Sequence, residues 1–129
     1  MKRLAFAAAA LALSAVAAFA DPVEGLWKTE PGDDGAYAHV VIRPCGANIC
    51  GVIARGFDAG GTEIQSKNIG ARMIWDMSAD GGGSYSGGKI WAPDRDKVYR
   101  SKMELSGNSL KVSGCVGPIC RGQNWVRVQ

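Results

Sequence analysis

The residues with the most chemistry to offer are four cysteines and a single histidine. The cysteines fall into two units of equal spacing, Cys45 with Cys50 and Cys115 with Cys120. Four thiolates can surround a zinc ion, although this spacing sits at the loose end of zinc patterns. Alternatively the cysteines close disulfides, for which three pairings exist. Two local pairs fit best, because each unit brackets a turn-like tetrapeptide, Gly46-Ala47-Asn48-Ile49 or Val116-Gly117-Pro118-Ile119. Residues facing each other at the end of an antiparallel hairpin lie within reach of an S–S bond. Each short crosslink would stabilise the fold by about 2 kcal/mol on a chain-entropy view. No redox C-x-x-C motif is present.

The remaining chemical candidates weaken on inspection. His39 lies inside a strand-like run with no identifiable Ser or Cys partner, so a polar strand position explains it better than a general base. Gly83-Ser84-Tyr85-Ser86-Gly87-Gly88-Lys89-Ile90 nearly spells a phosphate loop. Its last position should carry a magnesium-binding hydroxyl and should open a helix, but here it is Ile90 in a strand pattern. Asp33-Asp34 and Asp94-Arg95-Asp96 lack the ligand spacing of a calcium loop and read as turn acids. The sequence therefore predicts no catalytic residues, no metal and no cofactor.

These residues must be positioned by something, and the chain ends constrain what. Met1-Lys2-Arg3 is followed by an uncharged Ala- and Leu-rich stretch ending in Ala18-Phe19-Ala20, the pattern of a cleavable secretory signal. The expected organisation is a signal over 1–20 and one domain over 21–129, periplasmic or secreted, without a stable membrane anchor. The domain then carries thirteen basic against twelve acidic residues, which removes the argument for a nucleic-acid partner. An oxidising compartment also favours disulfides over zinc.

The texture of that domain is all-β, with β-branched and aromatic runs separated by Gly, Asp, Asn and Ser clusters. Eight strands are expected, near 25–30, 37–43, 49–56, 72–77, 84–91, 97–105, 109–115 and 119–128. The one long connection, Phe57–Gly70, has room for a helical turn around Ser66–Ile69. Alternation in the sixth strand sets Tyr99, Met103 and Leu105 against Arg100, Lys102 and Glu104, and in the seventh Leu110 and Val112 against Lys111 and Ser113, the mark of a sheet with one dry face. Short antiparallel strands close most simply into an eight-stranded up-and-down barrel, which removes exposed edges; a two-sheet sandwich is the alternative. Closure would bring the first and last strands together, setting Gly25 and Trp27 beside Trp125 and Arg127 as a latch with a guanidinium over an indole. Trp75 and Trp91, with Tyr99 and Met103, are the candidates for lining an interior ligand site.

The ordered set Gly25-x-Trp27, Ile42-Arg43-Pro44-Cys45-Gly46, Ile49-Cys50-Gly51, Gly88-Lys89-Ile90-x-x-Pro93, Tyr99, Leu110-Lys111-Val112-x-Gly114-Cys115 and Trp125-x-Arg127 resembles the bacterial family called domain of unknown function 2147. The resemblance implies an exported protein with a lipocalin-like, calycin-type barrel, and supplies no reaction. Gly25-x-Trp27 and the late Arg127 also resemble the lipocalin signature that braces the closed end. The chain departs from the family pattern at Gln65-Ser66-Lys67-Asn68 and in its second cysteine pair. The resulting expectation is a non-enzymatic barrel binding a small apolar ligand at its open mouth. The alternative is an envelope interaction protein, such as an inhibitor presenting a loop to a cell-wall hydrolase.

Overall fold

Short β-branched runs between glycine-bearing turns leave the backbone little choice but extended pairing, and the structure is built from it throughout. It is a computed structural model that describes residues 20–129. The segment read as a secretory signal lies outside the described residues except for Ala20.

Nine strands follow in order: β1 Gly25–Lys28, β2 Tyr37–Cys45, β3 Asn48–Phe57, β4 Glu63–Ile64, β5 Arg72–Gly81, β6 Ser84–Ala92, β7 Lys97–Ser106, β8 Ser109–Val116 and β9 Ile119–Arg127. Eight of them correspond to the expected strands. The addition is β4, a two-residue pairing of the long connection with the end of β3, Gly56 opposite Ile64 and Phe57 opposite Glu63. Neighbours run β2-β1-β9-β8-β7-β6-β5-β3, and a further β2–β3 pairing closes the ring. All pairings are antiparallel. The continuous ring makes this an eight-stranded barrel rather than a two-sheet sandwich.

The up-and-down path divides the connections between two ends. One end gathers the β2–β3, β5–β6 and β7–β8 hairpins with both ends of the described chain, and it is closed. There Val23 is fully buried and its carbonyl accepts from Trp27 Nε1 at 2.9 Å. The Tyr85 hydroxyl donates to the Asp21 carboxylate. The other end gathers the β1–β2, β3–β5, β6–β7 and β8–β9 connections and forms the mouth.

Between them the core is packed. Trp27, Val40, Ile42, Ile74, Met77, Met103, Leu110, Val112 and Trp125 are each at most 1% exposed. Eight strands enclose a space that side chains of this size just fill. Two local irregularities decide which residues reach it. Asp76 and Gly87 adopt positive φ of 55° and 77° on facing strands. Each adds a residue to the alternation, so Ile74 and Met77 on β5, and Tyr85 and Gly88 on β6, all face inward at a spacing of three.

Candidate functional site

The described residues carry three features with functional potential: the latch at the closed end, an aromatic cluster outside the wall, and the mouth. The latch forms because barrel closure places Trp27 opposite Arg127. The guanidinium lies 4.4 Å from the Trp27 ring centroid and donates to the carbonyls of Glu24 at 3.0 Å and Pro22 at 2.6 Å. Gly25 makes room for it, since a Cβ there would sit 2.8 Å from an Arg127 nitrogen. Trp125, two residues before Arg127, is fully buried, its Nε1 donating to Gln123 Oε1 at 3.0 Å. The cysteines are joined as Cys45–Cys50 and Cys115–Cys120, with Cα separations of 5.6 and 4.0 Å.

The interior candidates separate. Met103 is 1% exposed within the packed core. Tyr99 is half-buried on the inner face near the mouth, beside Ile90 and Gly114. Trp75 pairs with exposed Lys89 and Trp91 with exposed Val98, so both tryptophans take the side of the sheet away from Ile74 and Ile90. Arg72 stacks on the Trp75 ring at 5.1 Å, and Trp91 Nε1 donates to Asp96 at 2.9 Å. The structure therefore brings Tyr99 and Met103 to one wall but not the two tryptophans.

The mouth has polar residues that sequence reasoning did not single out. Alternation from Trp125 puts Gln123 and Arg121 on the inner side of β9, and both are exposed. Arg121 sits directly opposite Gly114. On the far side of the same end, the β3–β5 connection forms a concavity of about 420 Å³ lined by Glu63, Ile64, Gln65, Ser66 and Ile69. A hydrogen bond from Ile69 N to Ser66 O makes a turn without a helix in place of the expected helical turn, and β4 holds the start of the connection against β3. Ile64 and Ile69 are 41% and 45% exposed, so two aliphatic side chains stand in water beside the polar Glu63, Gln65 and Ser66.

Outside the wall, Tyr37 and Phe57 stack at 4.9 Å, His39 tilts against Phe57 at 4.5 Å, and the Lys28 ammonium lies 4.4 Å from the Tyr37 ring. Partial burial, followed by the nearby charges of Arg55 and Lys28, holds the His39 pKa below its ordinary value, with Glu63 opposing. His39 Nδ1 is buried and has no hydrogen-bond partner. At the closed end, burial and then the Asp21 carboxylate push the Tyr85 phenol well above its ordinary pKa. Among the described residues no group of three His, Cys, Asp or Glu is arranged to hold a metal ion.

A closed, latched eight-stranded antiparallel barrel defines a lipocalin-type fold. The comparison with solved structures agrees: Helicobacter pylori protein HP1028, described as belonging to the lipocalin family, superposes with a TM-score of 0.66 at 16% identity, covering 82% of each chain. At that identity the likeness concerns the fold. The chain itself belongs to the bacterial family described as "Uncharacterized protein conserved in bacteria (DUF2147)", which matches residues 25–127. No curated protein matches it in sequence.

Proposed function

We propose that this protein is a non-enzymatic binder of a small, largely apolar ligand, held at the open end of the barrel and not deep within it. One observation carries the reading: the core is solid, while the mouth bears a concavity of about 420 Å³ flanked by exposed Ile64 and Ile69. Ligand sites of this size combine apolar walls with a few polar groups, and Glu63, Gln65 and Ser66 supply the latter. Tyr99, half-buried beside Gly114, adds an aromatic side chain at the same end. The lipocalin-type fold supports ligand binding in general, and the cysteine pairs suit an exported, periplasmic or secreted protein.

Native mass spectrometry of protein recovered from the cell envelope, with displacement of a fluorescent lipid probe, tests this. Replacing Ile64→Ser together with Ile69→Ser should weaken the probe by about tenfold, the scale of about two buried CH2 groups, since both side chains are already partly exposed. Unchanged probe affinity, or no bound species and no displacement, would overturn the reading. The solid core also favours the second reading, a protein that presents its mouth loops to an envelope partner.

A further inference from the structure

At the tip of the β8–β9 hairpin, Val116 and Ile119 face each other as a cross-strand pair, and both are 66% exposed. Single exposed aliphatics are ordinary, but an adjacent pair at a protruding turn is a small apolar wedge. The tip is held rigid from behind, because Cys115 and Cys120 are the next pair down and are bonded. It also stands clear of the barrel. β1 pairs with β9 only at Trp27–Arg127 and Lys28–Val126, and residues 119–124 are all exposed whichever side they face.

The strands that carry and flank this wedge are rich in basic residues, with Glu104 beside Lys111 on the adjoining wall and Glu30 accepting from Asn124 N on β9 as the acids among them. From Ser84 to Arg127 the chain has eight Lys and Arg against three Asp and Glu, whereas from Asp21 to Gly83 it has five against nine. The near-neutral total conceals this division. Lys89 pairs with Arg100, Arg100 with Cys115, Lys102 with Ser113 and Gly114 with Arg121, so these cations lie along the hairpin and the adjoining wall. Arg100 donates to the Gly117 carbonyl inside the tip itself. The ion pair found among the described residues, Arg55–Glu63, involves none of them. Asp94 and Asp96 lie in the neighbouring β6–β7 turn, but Arg95 and Lys97 offset them and Asp96 is bonded to Trp91.

We propose that the Val116–Ile119 tip docks the protein on an anionic lipid surface, the aliphatic pair entering the headgroup layer and Arg100, Lys102 and Arg121 facing the lipid charge. The chemistry favours lipid over a protein partner. A stable protein interface needs on the order of 800 Å² per partner with an apolar centre, and two aliphatic side chains on a narrow hairpin do not make one. A lipid surface requires only partial insertion plus basic residues, each strengthening attachment by about fivefold.

Flotation with vesicles tests this, using the whole protein with an identical N-terminal region in every sample. Binding should be at least about tenfold stronger to mixed phosphatidylglycerol and phosphatidylcholine vesicles than to phosphatidylcholine alone. Val116→Ser with Ile119→Ser should weaken it by about tenfold, and separately Arg100→Gln with Lys102→Gln by about 25-fold, both while leaving the thermal unfolding midpoint in place. Equal binding to both vesicle types, or full binding by the Ser variant, overturns the proposal. Absence of vesicle binding also overturns it, and crosslinking of the same tip to an envelope protein would then assign the wedge to a protein partner.

Discussion

Arg127 joins two roles in one side chain, since it covers Trp27 and satisfies two carbonyls of the segment that closes the barrel. Replacing it with Ala leaves those carbonyls without a charged donor, and Arg127→Ala should cost about 2–4 kcal/mol in denaturant unfolding. Arg127→Lys keeps the charge but loses the fork, so it should restore only part of that loss. His39 makes a prediction of a different kind. Its folded pKa lies below the ordinary 6.5, so the unfolded chain binds the proton more readily. Stability is therefore complete above that value and falls as pH drops through it. Unfolding midpoints measured between neutral and mildly acid pH should show a decline that His39→Gln reduces; an unchanged slope would remove His39 as its source.

At the scale of elements, the β5–β6 pair is the least obvious part of the barrel and the most instructive. Gly88 has an ordinary backbone conformation, yet a Cβ there would meet the Trp75 carbonyl oxygen at 2.7 Å and the Met77 Cα at 3.0 Å. The neighbouring strand approaches so closely that only hydrogen fits. Gly88→Ala should cost about 1–3 kcal/mol by thermal unfolding, as overpacking does elsewhere, whereas Gly107→Ala in an open turn meets no neighbour and pays only for its positive φ. The run from Gly83 to Ile90 thus owes its glycines to hairpin and strand geometry, not to phosphate. The same pair explains why Trp75 and Trp91 lie outside the wall. Strict alternation from Met77 and Tyr85 puts both tryptophans inside, but the extra residues at Asp76 and Gly87 reverse the phase.

For the whole molecule, the balance between a filled core and an open mouth decides where function can reside. Met103 is a packing residue in this view. Met103→Ala should lower stability by about 2–5 kcal/mol through the cavity it leaves, without weakening a probe bound at the Ile64–Ile69 rim. A loss of probe affinity alongside unchanged stability would place the ligand inside instead.

The sequence by itself determined what depends on local chemistry: strands from alternation and turn residues, hairpin disulfides from short spacing, and a barrel because eight short antiparallel strands must hide their edges. It also supplied the residue types of the latch, since tryptophan and arginine near opposite ends of a closed ring are bound to become neighbours. Only the tertiary structure decided which residues meet across distances no spacing encodes. The Tyr37–His39–Phe57 stack depends on β2–β3 register, the rim concavity on two residues of β4, and the inward tryptophans were lost to two added residues. Side-chain volume then settled whether the barrel is hollow, and Trp27, Trp125, Met77 and Met103 fill its core. A pattern of dry and wet faces specifies a wall, but the space it encloses follows from how all eight walls close at once.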